Sequence, residues 1–532
     1  MHCVVALSVL GFVSLMPQTS QAFNPTGWAW PNGEFEFYVN ENSFTQLDNA
    51  SGLSLPANEY GWWVAYAASR WVEDTNADIE ISRLGTTNAS CAKVANGTNV
   101  IGVWNGCAAS GCNLWAVAIT SQVTGDATDS DICVYEGAAT WQVQGDLAAG
   151  HKDLIGVLVH EIGHSLGLDH TAGTVMDSPT HNNGNTNSRH PYGDDIAGLE
   201  SIYGSRTSNP TIRTYTPSTL SVGSPYSLPI GSDMPVSAAL GRNASGSWRI
   251  FVATVGSGGA AVNLAHTVYP LAATPTWTTT GFGNDTDHPV AVAATDSGAT
   301  YTVLASIESF DTLLNCNGLD LFYSQNAFAG GSSYITSVTS ICTNQGVALA
   351  YDPTSDRFVM AYLGLAADGS GDEADTNRVY LRSGTHSAFP AATELDTGRY
   401  SLGRPSIACS PSDDCVVSFA DNADNTPNLI NISFSVNPTT GAITLGSSFA
   451  DTNFASETIV SRSSGASPFS WFLRWTSSSN SRAANDTQTY AATDPTAPVS
   501  VSSWTYLAGL TRRGIAVASN PGRANQYLIE VD

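Results

Sequence analysis

From residue 237 onward the sequence keeps returning to one pattern: a short apolar strand, a turn rich in Asp, Ser, Asn and Gly, then a second strand carrying aromatics. The copies read SAALGRNASGSWRIFVAT from Ser237, AVAATDSGATYTVLAS from Ala291 and VALAYDPTSDRFVMAYL from Val347. They continue as SIACSPSDDCVVSFA from Ser406, TIVSRSSGASPFSWFLRW from Thr458 and IAVASNPGRANQYLIEV from Ile515. Anchored on Leu240, Ala293, Leu349, Ile407, Ile459 and Val517, they stand 53, 56, 58, 52 and 58 residues apart. An isolated hairpin cannot bury its apolar face, so repeats of this length must stack on their neighbours. One four-stranded unit of about fifty residues is the arithmetic of a β-propeller blade. Further strand-like stretches, such as 378–383 (RVYLRS), lie between the hairpins. Six hairpins imply six blades. The sixth is followed by no outer strands, and 211–215 and 226–230 are the candidates to supply them, closing the ring by pairing the two ends of the domain. Two stacked sheets are the alternative; the even spacing and the missing terminal strands favour the ring.

The chain has 532 residues, too many for one ordinary domain. Hydrophobic residues at 42% and aromatics at 9% exclude wholesale disorder. Charged residues are only 12%, and acids outnumber bases 46 to 20, giving a net charge of −26. Such a surface repels nucleic acid and anionic membranes, so neither is expected as a partner. Residues 1–22 hold an apolar run from Val4 to Met16 and end in Thr19-Ser20-Gln21-Ala22, a small-x-small pattern suited to signal peptidase, although the first residues carry no Lys or Arg. A secreted, extracellular protein is expected. No later apolar run approaches the ~18–20 residues of a membrane span. Without Cys3 there remain eight cysteines in two groups, Cys91, Cys107, Cys112 and Cys133, then Cys316, Cys342, Cys409 and Cys415. Two modules with bridges of their own would account for this division. Cys409–Cys415 and Cys107–Cys112 are short enough to staple hairpins, which would leave Cys91–Cys133 and Cys316–Cys342. A zinc cluster is the rival reading, but no C-x-x-C pair is present.

Residues 23–204 read differently. Strands are expected at 33–40, 77–84, 99–104, 114–121 and 131–135. Helices are expected at 56–75, with Trp62, Trp63, Tyr66 and Trp71 at helical spacing, at 153–166 and at 194–203. That order is α+β, not the strict alternation of a doubly wound sheet. Residues 205–210 (SRTSNP) have the composition of a linker before the 211–532 domain.

Residues 160–170 read H-E-I-G-H-S-L-G-L-D-H. His160 and His164, at i and i+4, project from one helix face, so both imidazoles reach a single metal ion. Glu161 points beside that ion, where a carboxylate takes a proton from water. Gly167 ends the helix in a conformation a side chain resists, and the chain bends to bring His170 in as third ligand. Three neutral imidazoles with one position open describe a catalytic zinc site. Six of the ten histidines lie between His151 and His190. Two solvated or core histidines would explain a bare H-E-x-x-H, but the eleven-residue form breaking at its glycine is far more specific.

This segment resembles the metzincin signature, and His164–His170 (HSLGLDH) the matrixin, or matrix metalloproteinase-like, branch. Val175-Met176-Asp177 resembles the Met-turn, a methionine packed beneath the zinc. Residues 193–204 (GDDIAGLESIYG) resemble the matrixin closing helix, with Asp194, Asp195, Tyr203 and Gly204 matching its paired aspartates and final Tyr-Gly. Residues 129–135 (DSDICVY) resemble the strand before the active-site helix. The likeness covers roughly 27–204 and is strongest in its last third. It implies a zinc endopeptidase in which Glu161 is the general base, His160, His164 and His170 the zinc ligands, Met176 a packing support, and Asp194 and Asp195 supports in the closing helix. It also implies peptide or protein substrates lying extended along the edge strand at 114–121. Three departures stand out. The Met-turn begins close behind His170, no propeptide with a zinc-blocking cysteine precedes the first strand, and the calcium-loop motifs of matrixins are unclear. Asp126, Asp129 and Asp131 are the candidates for a structural calcium, against the plainer reading of turn aspartates.

For the repeat domain, Asp296–Tyr301 (DSGATY) resembles an Asp-box turn of sialidase-like propellers, a structural feature. Arg249, Arg378, Arg382 and Arg474 cannot be gathered at a centre from sequence. The domain is expected to bind a protein or glycan surface, or to act as a scaffold. Two other readings of the whole chain stand beside the peptidase: an adhesion protein with a vestigial protease domain, and a propeller glycosidase with an accessory zinc domain.

Overall fold

The computed structural model describes most of residues 25–530. Residues 1–24 and a set of connecting segments lie outside the described residues, chief among them 105–114, 178–186, 308–318, 365–376 and 491–504. The expected signal peptide, the Cys107–Cys112 and Cys316–Cys342 pairings and the Asp-box-like turn therefore fall outside it. The chain is mostly β and multidomain.

The N-terminal part is built on five strands, β1 (Glu34–Val39), β2 (Glu80–Thr86), β3 (Val100–Trp104), β4 (Ala116–Val123) and β5 (Asp126–Tyr135), in the order β2-β1-β3-β5-β4. Four of them run parallel, while β4 returns antiparallel beside β5 and forms the edge. The reversal is a two-residue turn, Thr124-Gly125, with φ of 53° and 91°. Positive φ at both central residues matches the right-handed twist of the flanking strands. Asp126–Ser130, outside the strand expected at 131–135, extend β5 because this hairpin pairs them with β4. Alternating burial along β1 puts Phe35, Phe37 and Val39 against the helices.

Four helices cover the sheet: α1 (Glu41–Ser51), α2 (Ala57–Glu73), α3 (Leu154–Ser165) and α4 (Asp194–Tyr203). The sequence reading missed α1, which has little more than Phe44 and Leu47 as an apolar stripe; both are fully buried. In α2 the expected aromatics Trp62, Trp63, Tyr66 and Trp71 are buried, and Tyr60 joins them. A short parallel pair, β6 (Thr140–Gln142) and β7 (His151–Asp153), leads into α3. Cys91 and Cys133 form a disulfide that ties the chain before β3 to β5.

Beyond Pro210, among the described residues, lie six antiparallel sheets, five of four strands and one of five in which Ser221–Val222 pairs beside Thr211–Thr216. Five are continuous in sequence, over 237–281, 291–338, 347–400, 406–451 and 457–506. The sixth joins both ends of the region in the order Tyr226–Ser227, Thr211–Thr216, Gln526–Glu530, Ile515–Ala518. Its central pairing, Thr211–Thr216 with Gln526–Glu530, is the terminal closure the missing strands implied. The first strands form a ring: Ser237–Arg242 packs on Ala291–Ala294, and the contact passes through Val347–Asp352, Ser406–Cys409, Glu457–Ser461 and Ile515–Ala518 back to Ser237–Arg242. Small residues permit this closeness; a Cβ on Gly241 would stand 2.8 Å from Thr295 O. Cys409–Cys415 closes the hairpin of the fourth sheet.

The segment 205–210 is tied at both ends, not a loose tether. Ser205 pairs with Ala77, Arg206 reaches Asp78 at 3.0 Å, and Leu228 N donates to Pro210 O at 2.8 Å. Nor are the cores of the two parts separate. Leu402, Ala408, Val416, Ala420 and Leu429 belong to the same buried apolar cluster as Trp63, Tyr66 and Trp141.

Candidate metal centre

Helix α3 begins where Asp153 turns its carboxylate back onto the Ile155 and Gly156 amides, at 3.3 and 3.1 Å. This satisfies two of the amides every helix start leaves without an internal partner. The Asp153 carboxylate is itself gripped by Arg189 through Nε at 2.7 Å and Nη2 at 2.8 Å, and both side chains are buried. Sequence reasoning missed this pair; the one signal available was an Asp immediately before an apolar helical run.

The far end of α3 is equally determined. Gly167 adopts φ +99°, and a Cβ there would meet Trp28 O at 2.7 Å, so the position requires glycine. The last carbonyls find donors from elsewhere: Ser165 O from the Trp30 indole at 2.7 Å, Leu166 O from Tyr203 OH at 2.9 Å, and Gly167 O from Thr26 N at 2.9 Å. Tyr203, expected only as a family-like residue, thereby locks the closing helix to the metal helix.

His160, His164 and His170 offer ring nitrogens that all lie within 4.8 Å of one another. Two rings are fixed by backbone carbonyls: His160 Nδ1 is 2.8 Å from Val175 O, and His164 Nδ1 is 2.8 Å from Leu168 O. A carbonyl only accepts, so each Nδ1 carries the hydrogen and each Nε2 keeps its lone pair. Burial also pushes His164 below the usual imidazole range, which favours the neutral form. His170 is exposed, so the cluster opens to solvent on that side. This donor set, neutral imidazoles with oriented rings, fits a zinc ion. Of the other histidines in the 151–190 stretch, His190 is engaged by Asp74 at 2.9 Å, and His151 is not part of the cluster; His181 lies outside the described residues.

Glu161 is buried, and burial pushes its carboxyl up to about 7, opposed by the Ala118 N–H donating to it. That bond places the carboxyl directly against edge strand β4. The Tyr135 hydroxyl, also unmarked in the sequence, lies near enough for the Glu161 charge to help raise it, after burial. A chain of hydroxyls backs the same junction: Thr120 Oγ1 to Ser130 Oγ at 2.9 Å, and Ser130 Oγ to Ser165 Oγ at 2.8 Å.

Met176 is fully packed beneath the helix. A Cβ on Gly163 would overlap its Sδ and come within 2.6 Å of the Trp71 ring, so the first glycine of the motif exists for close approach. The two aspartates of α4 part company. Asp195 is buried and accepts from Val175 N at 2.8 Å and Met176 N at 3.4 Å, whereas Asp194 remains half-buried on the first turn.

A calcium site at Asp126, Asp129 and Asp131 is not supported. Among the described residues only the three histidines gather closely enough to hold a metal. Asp129 Oδ2 instead accepts from the amides of Asn96, Gly97 and Thr98 at 3.0, 2.6 and 3.1 Å, Asp131 Oδ1 accepts from Val100 N at 2.8 Å, and Asp126 is exposed. Asp129 and Asp131 thus anchor the backbone entering β3 from within strand β5, a position the reading of turn aspartates did not give them. Among the described side chains, Arg249, Arg378 and Arg382 have partners within their own sheets. Arg249 faces His266 at 2.7 Å in the first sheet, and Arg378 and Arg382 pair with Asp396 and Glu394 in the third. Arg474 lies on a strand of the fifth sheet.

The Matrixin family model matches residues 113–204. That stretch contains β4, β5, α3, the three histidines, the Met-turn and α4. No curated protein matches the chain. Among solved structures, an α-L-arabinofuranosidase of Fusarium graminearum is 8% identical, with 61% of this chain and 97% of that one covered at a TM-score of 0.37. An α-L-arabinanase of Penicillium chrysogenum is 10% identical, with 62% and 98% covered at 0.35. A Trypanosoma rangeli sialidase is 11% identical, with 58% and 55% covered at 0.33. Likenesses this loose say nothing of what this chain acts on. The two disulfides are consistent with a secreted protein; among the described residues no helix is long and apolar enough to cross a membrane.

Proposed function

We infer that this chain is a secreted zinc-dependent endopeptidase, its matrixin-like domain at 23–204 followed by a six-bladed propeller at 211–532 that serves as a binding or scaffold module. The observation that carries this reading is the joint placement of three convergent imidazoles and a buried carboxylate under an edge strand. Its unpaired side gives an extended peptide backbone somewhere to dock.

His160, His164 and His170 would hold a zinc ion, which would supply Lewis-acid polarisation of a peptide carbonyl and lower the pKa of bound water. Val175 O and Leu168 O hold the imidazoles in the one tautomer that leaves Nε2 available. Glu161 receives the proton of the attacking water and returns it to the leaving amine nitrogen; burial suits it to both directions by raising its affinity for a proton. Edge strand β4 aligns the substrate, and Ala118 N–H keeps the Glu161 carboxyl turned toward it.

The test is hydrolysis of denatured casein and of a mixed peptide library, with and without chelator, by wild type and Glu161→Gln. Wild type is expected to cleave and to stop on chelation. Glu161→Gln is expected to lose at least about 10²-fold in kcat while binding zinc at unchanged stoichiometry. Zinc-loaded wild type that is inert on the whole library would overturn the reading.

A further inference from the structure

The two parts of the chain meet along a polar path that ends at the metal helix. Asn422, 1% exposed, follows the strand Cys415–Asp421 of the fourth sheet and donates from Nδ2 to Val143 O at 3.2 Å. The same carbonyl accepts from Arg189 Nη2 at 3.0 Å. Arg189 Nη2 also donates to Gln144 O at 2.8 Å, and the guanidinium grips Asp153, the cap of α3. His160 and Glu161 lie two turns along that helix. Around this path runs the shared apolar cluster, with Tyr66 OH donating to Leu402 O at 2.7 Å as a second bond across the seam.

A carbonyl has two lone pairs, and those of Val143 are taken by one donor from each part of the chain. The guanidinium is a rigid fork, so its position against Val143 and Gln144 fixes the position of Asp153. A fourth sheet that shifted would therefore move the start of α3. We propose that the six-sheet ring is a positioning element of the metal site, acting through Asn422, Val143 O, Arg189 and Asp153 on the height of His160 and Glu161 beneath β4. Asn422 and Arg189 are positioning residues; neither lies among the groups that hold the metal. The kinetic part of this inference rests on the peptidase reading, and the structural part does not.

The experiment compares full-length Asn422→Ala and Asn422→Asp with Tyr66→Phe, which loses a bond across the same seam but not on the path. Hydrogen exchange is followed at the amides of residues 155–161, and kcat and KM are measured on a cleaved library peptide. Both Asn422 variants are expected to exchange about fivefold faster over 155–161 and to lose about fivefold in kcat with KM held within about twofold, since one buried hydrogen bond is at stake. Tyr66→Phe is expected to leave both readouts near wild type. If the Asn422 variants match Tyr66→Phe in α3 exchange, the ring does not position the helix. Should wild type cleave nothing, the peptidase reading fails while the exchange comparison still decides the coupling.

Discussion

Asp195→Asn isolates the contribution of the closing helix to metal binding. The Asp195 carboxylate accepts from Val175 N at 2.8 Å and Met176 N at 3.4 Å, and Val175 O in turn accepts from His160 Nδ1 at 2.8 Å. All four residues are buried. An asparagine of the same shape keeps one acceptor and turns its NH2 toward the other amide. The shorter bond is charge-assisted and worth about 1.5–3 kcal/mol, while the longer contributes less. Leaving a buried N–H unsatisfied adds to the cost, so a loss of about 2–3 kcal/mol in stability is expected. Because the same turn orients His160, part of that loss should appear as weaker metal binding, about 10–100-fold, as for other groups that orient a ligand. Zinc affinity by competition against a graded chelator, paired with urea unfolding of the metal-stripped chain, separates the two effects. Zinc affinity within about twofold of wild type, alongside the expected stability loss, would refute the claim that the Met-turn sets the His160 ring.

Other consequences of the geometry are open to measurement. Gly163→Ala should destabilise by about 1–3 kcal/mol in denaturant unfolding, because the Trp71 ring it meets is held by an indole bond to Val159 O at 2.9 Å and cannot swing away. Arg189→Met leaves the Asp153 carboxylate buried without its cation and should cost about 3–5 kcal/mol, read as a lower midpoint in urea. His190 is pulled below the ordinary imidazole range by burial, with Asp74 opposing and Arg70 and Arg189 adding to the depression. It is therefore neutral in both states above pH ~6.5. Below that the unfolded chain takes the proton first, and stability falls by up to about 1.4 kcal/mol per pH unit. His190→Gln should flatten the slope of melting temperature against pH between about 5 and 6.5; a slope identical to wild type would remove His190 as its source.

The residues that carry chemistry were legible because their spacing is a local matter. His160, Glu161 and His164 share a helix face by period alone, and Gly167 is required by a single φ. The same holds for the six hairpins, whose even spacing follows from one strand-turn-strand unit repeated. What supports these elements was not legible, since each support comes from far along the chain. Arg189 reaches back to Asp153, Tyr203 to Leu166, and Tyr135 and Ala118 approach Glu161 from other strands. Helix α1 escaped because Phe44, Leu47 and Ala50 among eleven residues leave little periodic signal, while burial of Phe44 and Leu47 in the core helps hold it.

Sequence by itself determined a mostly β, multidomain chain with a candidate zinc centre, because backbone periodicity and ligand spacing are properties of neighbouring residues. Tertiary structure decided two further matters. It placed Asp129 Oδ2 and Asp131 Oδ1 on backbone amides, where the sequence had offered the pair with Asp126 as calcium candidates. It also replaced a boundary that composition drew as a linker with a shared apolar core and a buried polar path. Contacts such as Tyr66 to Leu402 and Asn422 to Val143 join residues separated by 336 and 279 positions. No window of sequence contains both partners, so such pairings follow only from how the sheets and helices pack.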